Sequence, residues 1–276
     1  MTNLVAGCAG WAYPDWKGAF YPVKMNAEGY LSYYTRFFDL VEINTTYYSI
    51  PPRETLQHWL SNTPDSFRFI VKVWNKITHQ LYSKDVEENV YHFFRALQPL
   101  SPKISGYLFQ FPPWFTATSD YQQILKQIIT IVKSMVKQKW IFLEFRHSSW
   151  FDEVDLTKFI SSPNTYIVTS FLEGIPRYLQ LSQPVQYLRL IGNRQLTSFN
   201  RIQLDRTQEM QELSAIIQQL EQSPSITDIF VIFNNHFRGF SPQDVVDLYK
   251  LLHRPFKSFQ RQHSLDDFLP KKTFSQ

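Results

Sequence analysis

Cysteine is almost missing from this sequence. The 276-residue chain has one, Cys8, which excludes an internal disulfide and a cysteine-based zinc cluster. No apolar stretch approaches the ~20 residues a membrane-spanning helix needs. The opening "MTNLVAGCAG" lacks the basic and apolar regions of a secretory signal. A dense run of one charge is lacking too. The net charge of +4 comes from 28 basic and 24 acidic residues dispersed along the chain, a balance that permits an anionic ligand without demanding nucleic acid. There is no internal repeat, low-complexity linker or composition break. The expectation is one soluble cytoplasmic domain over 1–276, with no membrane partner and a polar tail from about residue 254. Oligomeric state is not legible at this level.

What is present is apolar and aromatic. Hydrophobic residues make up 43% of the chain and charged residues 19%, a balance that supports a core and excludes wholesale disorder. Eight short segments read as buried strands: 4–8, 41–47, 68–73, 106–111, 141–147, 165–170, 185–192 and 229–235. Helical patterns lie between them at 30–38, 54–60, 85–98, 119–137, 152–161, 207–221 and 242–252. The clearest is 119–137, with Ile124, Ile128, Ile131, Val132 and Met135 as its apolar stripe and Ser119 as the expected N-cap. Strands alternating with helices imply a parallel sheet, and eight such strands fit a single (β/α)₈ TIM-type barrel, typically about 250 residues long. The connection 171–184 contains Pro176 and Pro184 and shows no helix, so it is expected to be irregular. An open doubly wound sheet is the alternative and would also place a ligand at the strand carboxyl ends.

Strand alternation separates two faces. Opposite the apolar face lie Glu42 and Asn44 in the second strand, Lys72 in the third, Gln110 in the fourth, Glu144 and Arg146 in the fifth, Arg189 in the seventh and Asn234 in the eighth. The apolar faces suit packing against helices, so the polar ones should point into the barrel near the strand carboxyl ends, where barrel enzymes build their sites. Glu42 and Glu144 against Lys72, Arg146 and Arg189 leave one positive charge, which suits a phosphate or carboxylate. The competing reading is an interior of ion pairs that serves only the barrel. Aromatics cluster after the strand ends, where loops share one mouth. Most would cover those loops, and Trp11 and Trp74 are the expected ligand contacts.

Seven blocks then carry a resemblance: "GCAGWAYPDWKGAFYP" (7–22), "VEINTTYYSIPPRET" (41–55), "FRFIVKVWNKITH" (67–79), "YLFQFPPWF" (107–115), "LEFRHSSWF" (143–151), "YLRLIG" (187–192) and "IFNNHFRGFSPQDVVDL" (232–248). In content and order they resemble the signature blocks of the family catalogued as domain of unknown function 72, or YecE-like. The resemblance implies a (β/α)₈ barrel and no established activity. Carried over by position, it points to Glu42, Asn44, Lys72, His79, Gln110, Glu144, Arg146, His147, Arg189, Asn234 and Asn235. Two places depart from the family pattern: Leu190-Ile191-Gly192 stands where the family often has Leu-His-Gly, and the sixth strand ends "VTSFLEG" without the family's acidic-then-proline pattern.

These residues suggest several chemistries. A Glu42/Glu144 acid–base pair is disfavoured because neighbouring cations would hold both ionised. Lys72 is a Schiff-base former only if its pKa is lowered; otherwise it pairs with Glu42 or Glu144. Glu42, Glu144, His147 and His236 lack metal-ligand spacing, so no metal and no cofactor is expected. Phosphate is the favoured ligand, cradled by the glycine turns after the first and seventh strands with Lys72, Arg189, Asn193 and Arg194. The first expectation is therefore an enzyme of isomerase, lyase or hydrolase type acting on a small phosphorylated or carboxylated anion. Glu144 is its base, Glu42 and Lys72 are further catalytic candidates, and Lys72 and Arg189 also anchor the anion. Asn44, Gln110, Asn234, Asn235, Arg146, His147, His79, Trp11 and Trp74 bind substrate. On this reading Arg189→Met abolishes anion binding without unfolding the chain. The alternative is a non-catalytic module that holds a nucleotide or nucleic-acid end against the aromatic rim.

Overall fold

The computed structural model describes residues 2–81, 85–160, 162–192 and 194–260. Eight strands run β1 (Asn3–Ala9), β2 (Leu40–Ile43), β3 (Arg68–Lys72), β4 (Ile104–Gln110), β5 (Trp140–Glu144), β6 (Thr165–Phe171), β7 (Val185–Leu190) and β8 (Asp228–Phe233). Every neighbour is parallel, and β8 returns to β1 in register from Asn3 opposite Asp228 to Cys8 opposite Phe233, closing the barrel. That closure excludes the open sheet.

The helices are α1 (Tyr30–Tyr34), α2 (Arg53–Ser61), α3 (Asn75–Thr78), α4 (Val86–Ala96), α5 (Ser119–Met135), α6 (Ser149–Asp152), α7 (Thr157–Ile160), α8 (Thr207–Glu221) and α9 (Ser241–Leu251). Outward strand residues such as Val41, Phe69, Val71, Phe109, Leu143 and Leu188 pack in one apolar core with buried helix residues such as Phe93, Phe94, Ile128 and Leu213. A second, smaller cluster fills the barrel itself, with Leu40, Ile70, Leu108, Phe142, Tyr187 and Phe230 among its members.

Several boundaries differ from the sequence expectation, each for a local reason. β2 stops at Ile43 because Asn44 turns helical (φ −97°, ψ −18°) into a 3₁₀ turn over Thr45–Tyr47. Of the helix expected over 152–161 only a single turn forms among the described residues, α7, which Asp155 Oδ1 starts by accepting the Thr157 amide at 3.1 Å, while α6 begins before that range and ends at Asp152. Thr118, extended at ψ 158°, is the N-cap residue of α5 in place of Ser119, and neither side chain caps it. Of the expected α5 stripe, Ile128 and Val132 are fully buried alongside Leu125 and Ile129, while Ile124, Ile131 and Met135 are partly buried. α3 was not expected from the pattern.

The 171–184 connection holds no helix among its described residues. β7 pairs with β6 only from Val168 onward, and below that point Gln183 Oε1 accepts the Ile167 amide at 2.7 Å, a side chain standing in for a strand neighbour. Of the tail, residues 254–260 are described. Phe259 packs edge-on to Phe20 with ring centroids 4.9 Å apart, and the rest of the expected tail lies outside the described residues.

Candidate functional site

On five strands an apolar inward residue is followed two positions later by a polar one: Leu40 then Glu42, Ile70 then Lys72, Leu108 then Gln110, Phe142 then Glu144, Tyr187 then Arg189. The period-2 pleat thus builds a polar layer directly above an apolar one. Gly106 allows the apolar layer to fill, since a Cβ there would stand 2.7 Å from the Phe142 ring. That ring stacks on Tyr187 with centroids 4.6 Å apart.

In the polar layer Arg189 is the hub. Its Nε donates to Glu42 Oε2 at 2.8 Å, Nη2 to Glu42 Oε1 at 2.7 Å, and Nη1 to Glu144 Oε2 at 2.8 Å. Tyr187 donates its hydroxyl to Glu42 Oε2 at 2.5 Å, and Arg146 Nε donates to Glu144 Oε1 at 2.7 Å. Both carboxylates are 0% exposed, so all four of their oxygens are satisfied inside the protein. Burial alone would raise Glu144, but the charges of Arg189, Arg146 and Lys72 outweigh it and hold the carboxyl at about 2. Glu42 is likewise lowered, its burial outweighed by Arg189, Tyr187 and Lys72.

This saturation leaves Lys72 over. No salt bridge reaches it among the described residues, and its Nζ sits 4.3 Å from the Tyr47 ring centroid. Burial and the Arg189 charge, with a smaller push from Arg146, outweigh Glu144 and Glu42 and bring its pKa down to about 7.

Above the layer opens a cavity of about 1310 Å³ at the carboxyl ends of the strands. Its lining includes Asn44, Lys72, Gln110, Arg146, Arg189, Asn234, Asn235 and Trp11. Six basic side chains line it (Lys72, Arg146, Arg177, Arg189, Arg194, Arg206) against three carboxylates (Glu28, Glu173, Glu209). Four buried polar atoms of its lining residues, Asn44 Oδ1, Arg206 Nε, Asn235 Nδ2 and His236 Nδ1, have no hydrogen-bond partner among the described residues. Asn235 is held from behind: its Oδ1 accepts Ser241 N at 3.0 Å, Ser241 Oγ at 2.8 Å and Trp16 Nε1 at 3.3 Å.

The other expected residues lie elsewhere. Glu42 and Glu144 are beneath the cavity lining. Trp74 is outside it, with Nε1 donating to the Tyr48 carbonyl at 3.3 Å and Lys76 over its ring. His79 pairs with Thr78 Oγ1 at 2.8 Å, and burial, helped by Lys72 and Arg146, pushes it down to about 4. His147 Nδ1 accepts the Ser149 amide at 3.2 Å at the start of α6. Gly192 lines the cavity and Arg194 does too, whereas Asn193 of the expected cradle lies outside the described residues. Among the described residues no group of three or more His, Cys, Asp or Glu is placed to hold a metal. Sequence reasoning missed Tyr187, although it shares the inward face with Arg189 two residues on. It also missed Arg177 and Arg206, which reach the cavity from irregular segments that carry no periodic signal.

Comparison with known proteins agrees with this architecture. Residues 5–267 match the family profile described as Protein of unknown function DUF72. The chain is a DUF72 protein. Among DUF72 relatives, the UPF0759 protein YunF of Bacillus subtilis is 25% identical over 90% of this chain and 94% of its own. The UPF0759 protein YecE of Escherichia coli K12 is 34% identical over 41% of this chain and 39% of its own. A DUF72 crystal structure from Thermotoga maritima superposes with a TM-score of 0.77 at 26% identity, covering 91% of this chain and all of that one. SacUVDE, at 9% identity and a TM-score of 0.53 over 92% of this chain and all of its own, shares the fold alone. Among the described residues, no helix of this DUF72 protein is long and apolar enough to cross a membrane.

Proposed function

We propose that this DUF72 protein is an enzyme acting on a small organic anion, carboxylated or phosphorylated, bound at the C-terminal mouth of the barrel. The observation that carries the reading is that four of the six lining cations are paired (Arg189 with Glu42 and Glu144, Arg146 with Glu144, Arg177 with Glu212, Arg206 with Glu209), whereas Lys72 and Arg194 meet no carboxylate among the described residues. An anion entering there meets two basic groups, Lys72 and Arg194, that no salt bridge engages among the described residues. Arg146 is its best anchor: only its Nε is engaged, and its terminal nitrogens make no hydrogen bond among the described residues. Asn44, Gln110, Asn234 and Asn235 are suited to orient the substrate.

Glu144 does not suit the role of base. A carboxylate held at about 2 and bonded on both oxygens takes up no proton near neutrality, so proton handling falls to Lys72. The alternative of a nucleic-acid end in the pocket rests on the exposed rim, where Tyr48 is 73% exposed.

A thermal-shift panel of sugar phosphates, small carboxylates, inorganic phosphate, neutral sugars and a single-stranded oligonucleotide tests the reading. A ligand at 100 times its Kd adds about 2.7 kcal/mol. Shifts with the small anions that weaken in Arg146→Met support it. A shift with the oligonucleotide alone, steeply salt-dependent, moves the reading to the binding module. No shift with any ligand leaves the interior charges as a barrel brace.

A further inference from the structure

We propose that the Lys72 ε-amine forms a covalent imine with an aldehyde or ketone group of the anionic substrate. The inference rests on the pocket reading above and narrows the substrate to carbonyl-bearing anions.

Its basis is a division of partners within the polar layer. Lys72 has two carboxylates on nearby strands, the arrangement in which a buried lysine normally ends as half of an ion pair. Here Glu42 is taken by two nitrogens of Arg189 and by Tyr187, and Glu144 by Arg189 and Arg146. The amine is therefore left without a counter-ion while lining the cavity. Arg189 and Arg146, like charges in the same layer, favour its neutral form, as does burial. On one side the Tyr47 ring backs the amine at 4.3 Å, so a carbonyl approaches from the cavity. Arg146 lies in the same cavity lining and can hold the anionic end of the same molecule.

The step balances without a further reactant. The nitrogen lone pair of the neutral amine adds to the carbonyl carbon, and the carbonyl oxygen takes up a proton as the nitrogen loses one. The resulting carbinolamine expels that oxygen as water and leaves a C=N bond. Protonated, the imine withdraws electrons from the adjacent carbon, which eases loss of a proton or cleavage of a carbon–carbon bond there. This suits isomerase or lyase chemistry better than hydrolysis.

Pyridoxal 5′-phosphate is the probe, because it joins an aldehyde to a phosphate and its imine absorbs in the near ultraviolet and visible. The full chain is incubated with sub-stoichiometric to equimolar probe from pH 6 to 9, reduced with borohydride and mapped by peptide mass. Binding is followed in parallel by thermal shift. The expected result is one label per chain, on Lys72, suppressed by inorganic phosphate and absent in Lys72→Arg, with its rate rising through about pH 7. Pyridoxal lacking the phosphate should label Lys72 at least tenfold more slowly. If the probe shifts the melting temperature and phosphate competes, but the label is absent or scattered over surface lysines, the imine is overturned and the anion pocket stands. If there is neither shift nor Lys72 label, both readings fall.

Discussion

Arg189 grips Glu42 with two nitrogens, Nε on one carboxylate oxygen at 2.8 Å and Nη2 on the other at 2.7 Å, across the barrel from β7 to β2. This is a bidentate pair with both partners buried, Arg189 3% and Glu42 0% exposed. Such a pair adds little beyond what an apolar replacement would give, yet losing one partner strands a charge.

Arg189→Met is accordingly expected to destabilise the protein by about 3–5 kcal/mol, because it strands both Glu42 and Glu144. The sequence alone suggested that this change would spare the fold. A urea titration decides: an unchanged midpoint would mean the carboxylates find other partners. Adding Glu42→Gln to Arg189→Met should restore part of the loss, since the neutral amide is cheaper to bury.

Tyr187→Phe removes the hydroxyl that donates to Glu42 Oε2 at 2.5 Å and leaves the ring stacked on Phe142. The expected cost is about 1.5–3 kcal/mol, the range for a hydrogen bond to a charged group. In an Arg189→Met background the cost should change, because both groups satisfy the same oxygen. Additive effects on the two midpoints would disprove that coupling.

Lys72 gives stability a pH dependence of known sign. Unfolded, its amine stays protonated to about 10.5, and folded only to about 7. Between those values the unfolded chain binds more protons, so stability rises with pH. Lys72→Met should therefore raise the melting temperature at pH 6 by an amount equivalent to on the order of 2 kcal/mol, and the gain should shrink toward pH 10. A gain that is constant across this range would refute a displaced amine.

Acid acts through the carboxylates. Glu144 is held at about 2 in the folded protein against 4.5 unfolded, so its stabilisation is complete above pH 4.5 and lost as pH falls toward 2. His79, held down at about 4 against 6.5, adds a loss between pH 6.5 and 4, where only the unfolded chain takes the proton. Circular dichroism from pH 7 to 2 should show unfolding in that window, and Glu144→Gln should flatten its lower part.

Gly192→Ala tests the turn after β7. Its φ is +72°, and a Cβ would lie 2.0 Å from the His236 carbonyl oxygen, so the strand-end loops must separate. A loss of at least about 2 kcal/mol is expected from the strain and the displaced contact, together with weaker anion binding. Wild-type stability would show that the loop yields freely.

The sequence made much of this legible because two periodicities do most of the work. Alternation turned Glu42, Lys72, Gln110, Glu144 and Arg189 inward, and the alternation of strands with helices implied the barrel that the β1–β8 pairing closes. Which inward charges would bind each other was not legible. That depends on distances across the barrel, and only three-dimensional closure sets Arg189 against Glu42, 147 residues away. Loop contributions from Arg177 and Arg206 were invisible for a different reason: irregular backbone has no period, so a side chain's direction cannot be read from its spacing.

Below the polar layer the barrel is filled by Leu40, Ile70, Leu108, Phe142, Tyr187 and Phe230. That filling makes the interior a well with a sealed base, and traffic through it is one-way in and one-way out by the same door. A molecule resting in the mouth blocks both arrival and departure. If the proposed chemistry on Lys72 holds, its product must leave past the same arginines that its precursor passed on entry, so it should compete directly with that precursor, and the speed of its escape sets how often the door is free.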